Sequence, residues 1–276
     1  MGQGMRVQIG AKTSKGRTFR RVCAAALPAL AVLALAATPL RASPCAFEPQ
    51  GEGHVTEITS GNSFRLSDGR EIRLAGIEPY SSDITRAGRA AALSAVIADK
   101  DVTLRGTDDA PDRYGRQSAF AFLGDDDTPV QSQLLAAGAA LVSAEIADKD
   151  CAAMLAAAEA AAHAAKKGIW ASPAAIKNAE SADDILAGIG RFTLVEGKVL
   201  SVRQAGATTY LNFGRRWTRD FAVTISRRML PAVEAAGVAV KSLENRRILV
   251  RGWVEAHPGP RIEVVRGGQI EVLGSN

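Results

Sequence analysis

The sequence predicts a mainly β protein with helices, arranged as two small domains. Three observations lead there. Short apolar stretches separated by turn residues recur across 53–123 and again from Arg191 onward. A long alanine-rich helical run, Asp150–Lys167, closes the first group, with Lys166-Lys167 in its last turn and Gly168 as a stop. A length of 276 residues holds one large domain or two small ones. With 47% hydrophobic and 23% charged residues, packed cores are available and wholesale disorder is excluded.

The elements follow in order. His54–Thr59, Ser63–Leu66 and Glu71–Ile77 read as strands, with Asp68-Gly69 as a hairpin signal between the second and third. Ile84–Ala98 has helical spacing. Asp101–Arg105 and Ser118–Leu123 are further strands, and Val130–Ala137 is a short helix ended by Gly138. Ser172–Gly190 is polar and alanine-rich and reads as a linker. Beyond it come strands Thr193–Val202, Thr209–Phe213 and Phe221–Ile225, then a helix Met229–Ala236 ended by Gly237. Arg247–Val254, Arg261–Val265 and Gln269–Leu273 are again β. Three strands, a helix and further strands suit a small OB-like barrel for 191–276.

The N-terminus reads as an export signal over residues 1–42. Met1–Arg21 is basic, Val22–Leu40 is uncharged and rich in Ala and Leu, and small residues surround Ala42. Pro28 and Pro39 suit a cleaved signal better than the alternative, an uncleaved anchor. The expected location is the periplasm or the exterior, with no stable membrane span after cleavage. Cys23 leaves with the signal. Cys45 and Cys151 remain as the one pair available for a disulfide in an oxidising compartment, against the alternative of two buried thiols.

Charge narrows the function classes. The net charge of +5 and pI near 9.3 come from the N-terminal segment, which holds seven Lys/Arg and no acid. The remainder holds 27 basic and 29 acidic residues, so a basic footprint over the whole surface is excluded. Residues 46–171 carry a net −7 and residues 172–276 a net +5. Phe192, Tyr210, Phe213, Trp217, Phe221 and Trp253 lie among the basic residues of the second region. Most of these rings suit a barrel interior. Arg215, Arg216 and Trp217, in a turn after Gly214, are the candidates for contact with a single strand. His54, His163 and His257 are isolated, and no G-x-S-x-G, P-loop or C-x-x-C motif is present.

Three segments carry a resemblance: Ser60-Gly61-Asn62-Ser63-Phe64-Arg65-Leu66, Ile72-Arg73-Leu74-Ala75-Gly76-Ile77-Glu78-Pro79 and Asp112-Arg113-Tyr114-Gly115-Arg116. With Gly138 and Gly168-Ile169-Trp170, they make residues 53–171 resemble the staphylococcal nuclease (thermonuclease) family. The resemblance implies a five-stranded OB-type barrel with three helices over 46–171. It also implies hydrolysis of a phosphodiester in DNA or RNA, assisted by Ca²⁺. A hard cation wants oxygen ligands, a planar guanidinium grips two phosphate oxygens at once, and an attacking water needs a base.

By this resemblance Arg73 and Arg116 are the phosphate arginines. Arg113 and Tyr114 are neighbouring substrate contacts. Glu78, Asn62 and the Pro79 carbonyl stand at the metal positions, with Glu78 counted among the catalytic residues. Asn62 lacks the charge of the carboxylate the family places there, and Ser81 stands where the family has its water-orienting Glu. Asp83, two residues on, is the alternative base if the loop folds back. Ca²⁺ is therefore expected to bind weakly. The implied function is an exported, metal-dependent nuclease with a degraded carboxylate set. The alternatives are a non-catalytic module binding single-stranded DNA, RNA or another phosphate ligand, or an interaction protein of the cell envelope.

Overall fold

The computed structural model describes residues 45–80, 86–144, 146 and 148–274. The predicted signal 1–42, together with Ser81 and Asp83, lies outside the described residues. Alternation of buried and solvent-facing side chains builds the first barrel. Its strands are β1 (Glu48–Ile58), β2 (Ser63–Leu66), β3 (Glu71–Leu74), β5 (Asp101–Gly106) and β6 (Arg116–Leu123). In β5, Val102 and Leu104 point inward while Asp101, Thr103 and Arg105 do not. Phe64, Leu66, Ile72, Leu74 and Phe122 complete an interior that excludes water.

The strands close in the order β1-β2-β3-β6-β5, with β3 and β6 parallel and the other pairs antiparallel. The long β1 serves both edges: its C-terminal part pairs β2 and its N-terminal part pairs β5. Closure leaves no free edge in this sheet. Helices α1 (Arg86–Ile97), α2 (Val130–Ala136) and α3 (Lys149–Ala164) complete the domain.

The predicted strand Glu71–Ile77 is two strands. Ala75-Gly76 interrupts it, and β4 (Ile77–Pro79) leaves the barrel to pair with β7 (Ala140–Val142). At Gly76 a Cβ would lie 2.9 Å from Ile146, and the φ of +76° favours glycine. β7 was absent from the sequence reading because three apolar residues after a helix stop carry no periodicity.

A second β domain follows. It contains β9 (Phe192–Lys198), β10 (Ser201–Ala205), β11 (Thr208–Asn212), β12 (Ala222–Ser226), β13 (Arg247–Ala256), β14 (Pro260–Val264) and β15 (Ile270–Val272), with α5 (Leu230–Ala235) between β12 and β13. Pairing runs β10-β11-β12-β14-β13-β9 within one sheet, with β12 and β14 parallel. β9 and β10 are separated only by Val199-Leu200, with β10 pairing β11 and β9 pairing β13. Phe213, Phe221, Val223, Ile248 and Ile262 are among its buried core.

Residues 172–190 correct the expectation of a linker. They hold β8 (Ile176–Asn178), which pairs in parallel with β9, and α4 (Ala182–Leu186), whose Ile185 is fully buried in the second core. The segment is part of the second sheet: β8 pairs with β9, Ala179 and Ile185 join the second core, and Ala175 packs beside Trp170 and Phe192. The barrel and the second β domain also share a core. Leu141, Ala162, Ile169 and Trp170 of the first pack on Ala175, Phe192 and Leu194 of the second. Both domains fall within one compact unit.

The end of α3 is anchored on α2 through two glycines. Gly138 and Gly168 both have positive φ, and a Cβ at Gly138 would lie 2.2 Å from the Lys167 carbonyl oxygen. That approach lets the Ile169 amide donate to the Gly138 carbonyl at 3.0 Å. Cys45 and Cys151, both buried, are joined as a disulfide with Cα atoms 4.5 Å apart. Among the described residues, no helix is long and apolar enough to cross a membrane.

Candidate functional site

The β3–β6 register gathers the two arginines. Glu71 stands opposite Arg116, and Arg73 opposite Ser118. In this pair Ile72, Leu74, Gln117 and Ala119 are buried, so Glu71, Arg73, Arg116 and Ser118 share the outer face. Arg73 and Arg116 are therefore diagonal neighbours on adjacent strands, a separation long side chains can bridge.

Arg116 is positioned by the turn before β6. The Asp112 carboxylate accepts from the Tyr114 amide at 2.8 Å and the Arg116 amide at 3.0 Å. Its other oxygen accepts from Arg116 Nε at 3.1 Å and Nη2 at 2.8 Å. Gly115, with φ +79°, closes the turn. Tyr114 is 65% exposed at the tip, with the guanidinium carbons of Arg113 and Arg116 at 4.9 and 5.1 Å from its ring centroid. The sequence motif holds all these residues, but Asp112 as the group that holds Arg116 is visible only in the structure.

The Arg116 side chain, and then the Arg116 and Tyr114 amides, pull the Asp112 carboxyl down to about 2 from 3.8. A depressed folded value contributes stability that is complete above the unfolded value and lost as pH falls through the folded one. Stability is thus expected to fall between about pH 4 and 2 through this group, and less so in Asp112→Asn. A carboxyl NMR titration of Asp112 with its midpoint near 4 would contradict this.

Glu78 is 5% exposed and forms an ion pair with Arg73. Its strand, β4, is held by β7 through the pair Glu78↔Leu141. Asn62, also buried, is tied into the fold: its Oδ1 accepts from Ser60 Oγ at 3.1 Å and its Nδ2 donates to the Ile77 carbonyl at 3.4 Å. The Leu74 amide donates to the Asn62 carbonyl at 2.7 Å. Asn62 thereby pins the turn before β2 to the β3–β4 bend. Pro79 ends β4 beside Ala140.

These residues do not fit a calcium site. Ca²⁺ takes six to eight oxygen ligands, several of them carboxylate. Here the set is one carboxylate whose charge is balanced by an arginine, one amide already bonded on both sides, and one carbonyl. Among the described residues, no three His, Cys, Asp or Glu side chains come together to hold a metal. His54, expected to be isolated, instead lies between Asp99 and Asp101 at 3.0 Å from each.

Three features escaped the sequence reading. Ser63 is buried opposite Arg73, and its hydroxyl has no hydrogen-bond partner among the described residues. Glu159 is the one acid beyond the first turn of the alanine-rich α3, a signal readable in the sequence. A groove of about 680 Å³ opens where the two domains meet, lined by Tyr80, Ile169, Lys177, Asp184, Arg191 and Phe192. Tyr80 directly follows Pro79, so the groove begins beside β4. Arg215, Arg216 and Trp217 belong to the second β domain, on the turn between β11 and β12.

Residues 72–172 match the family model described as staphylococcal nuclease homologue. No curated protein matches the chain.

Proposed function

Starting from a chain whose residues 72–172 match the staphylococcal nuclease homologues, we propose that its first barrel binds the phosphodiester backbone of nucleic acid, with the family's hydrolytic chemistry largely dismantled. The partnering of Glu78 carries this reading. The acid at a family metal position serves as the counter-ion of Arg73, while the neighbouring Asn62 is committed to internal hydrogen bonds.

Binding would proceed through this chain's own groups. Arg116 directs Nε and Nη2 to Asp112, which fixes the plane of the guanidinium and leaves its Nη1 edge for a phosphate oxygen. Arg73 would exchange part of its contact with Glu78 for a phosphate. Tyr114 and Arg113 would meet the adjoining sugar or base. Calcium would supply, in the family, charge neutralisation on the phosphate; no step is assigned to it here. With serine at position 81 the water-orienting base is missing, a loss of about 10²–10⁴ in rate by the usual worth of a general base. The buried disulfide Cys45–Cys151 supports an exported location, since such bonds persist in oxidising compartments.

The test is cleavage of single-stranded DNA and RNA with Ca²⁺ or with chelator, beside Arg116→Ala. The expected result is oligonucleotide binding with no Ca²⁺-dependent cleavage above that control. Asn62→Asp with Ser81→Glu is expected to raise Ca²⁺-dependent cleavage by about 10² or more. Fast cleavage by the native chain, lost in Arg116→Ala, would overturn the proposal in favour of a working nuclease.

A further inference from the structure

The turn between β11 and β12 is built more firmly than an exposed loop needs to be. Phe213 and Phe221 close its base, both buried, with ring centroids 5.1 Å apart. The Phe213 amide donates to the Phe221 carbonyl at 3.2 Å. Asp220 folds the turn from within: its carboxylate accepts from the Arg216 amide at 2.7 Å and lies 3.9 Å from Arg216 Nε. The Arg219 and Asp220 amides donate to the Arg216 carbonyl at 2.9 and 2.8 Å. Position 214 must be glycine, because a Cβ there would lie 2.1 Å from the Asp220 carboxylate. The tip of the β13–β14 hairpin supports the turn from the side, with Gly259 close against the Arg219 backbone.

What this frame presents is Trp217, 72% exposed, with Arg215, Arg216 and Arg219 exposed around it. The other two tryptophans differ. Trp170 is buried, and Trp253, 52% exposed, covers one side of its ring by packing edge-on against Phe192. An indole held out in water exposes a large apolar surface that only a partner can cover. The ring of arginines selects that partner. An apolar protein surface would have to desolvate three guanidiniums without compensation. A single strand offers a flat base for the indole and a phosphate on either side for the arginines. Because the turn is held by its own hydrogen bonds, little ordering cost remains at binding.

We propose that residues 214–220 form a binding site for single-stranded nucleic acid, with one base stacked on Trp217 and adjacent phosphates on Arg215 and Arg219. This site does not rest on the first barrel and stands if that barrel binds nothing.

The experiment is binding of a fluorescently labelled thymidine oligonucleotide to the full chain, followed by anisotropy and by tryptophan quenching. Trp217→Ala is expected to weaken binding by roughly 5- to 100-fold, the usual worth of one stacked base. Arg215→Ala with Arg219→Ala is expected to reduce the slope of log affinity against log salt by about 1.4. Both effects persist in an Arg73→Ala/Arg116→Ala background, which separates this site from the first barrel. An affinity unchanged by Trp217→Ala overturns the proposal. Quenching by phosphatidylserine/phosphatidylcholine vesicles but not by the oligonucleotide also overturns it and gives the turn to a membrane surface.

Discussion

Arg251→Ala is expected to lower the unfolding free energy by about 3–5 kcal/mol, the usual cost of leaving a buried charge without its partner. Arg251 rises from β13 of the second domain to Glu159 on α3 of the first, at 3.0 Å, and also donates to the Val142 carbonyl at 3.0 Å. The two side chains are 13% and 9% exposed. The other Glu159 oxygen accepts from the Val142 amide at 2.8 Å. One carboxylate thus joins α3, β7 and β13, in the middle of the apolar contact between domains. Removing the arginine strands that carboxylate. Replacing both members should cost far less, because desolvation of two ions is relieved together. Glu159→Gln keeps an acceptor for the Val142 amide, so Glu159→Gln with Arg251→Met is expected to recover most of the loss. Urea melts of the native chain, Arg251→Ala and the double variant measure this. A double variant as unstable as Arg251→Ala would show that the pair matters as an attraction and not as a mutual shield.

Loss of the disulfide has an effect of similar size. Cys45 and Cys151 are separated by 106 residues, and the chain-entropy model gives about 4–5 kcal/mol for a loop of that length. The bridge ties the start of the first barrel to the N-terminal turn of α3, where the Cys151 amide donates to the capping Asp148 carboxylate at 2.7 Å. Cys45→Ala with Cys151→Ala is expected to lower the urea midpoint, and reductant is expected to bring the native protein to the same value. A midpoint indifferent to reductant would mean that the thiols are not paired in solution.

Much of the fold was legible because its signals are local. Asp68-Gly69 marked the hairpin between β2 and β3, and Gly69 has φ +89°. Gly138 and Gly168 marked the ends of α2 and α3. The strands of both domains were readable from alternation. What was not legible is tertiary. β4 and β7 are three residues each and exist because they pair with one another. Residues 172–190 read as a linker because their few apolar side chains are spaced by contacts with β9 and the second core, not by any period. Arg73 and Arg116 were singled out by sequence motifs. The pairings Arg73–Glu78 and Arg116–Asp112, which change what those motifs can do, depend on where a strand bends and a turn closes.

The most direct test of the central claim is oligonucleotide affinity of the first barrel, measured in EDTA and again in Ca²⁺. It is made in the Trp217→Ala chain so that the second domain contributes least. Equal affinity in both conditions is predicted. Arg73→Ala with Arg116→Ala should then lower it by roughly 10-fold or more, as expected for lost charge-assisted hydrogen bonds. Affinity that appears only with Ca²⁺, or that survives loss of both arginines, would contradict a phosphate grip built from Arg73 and Arg116.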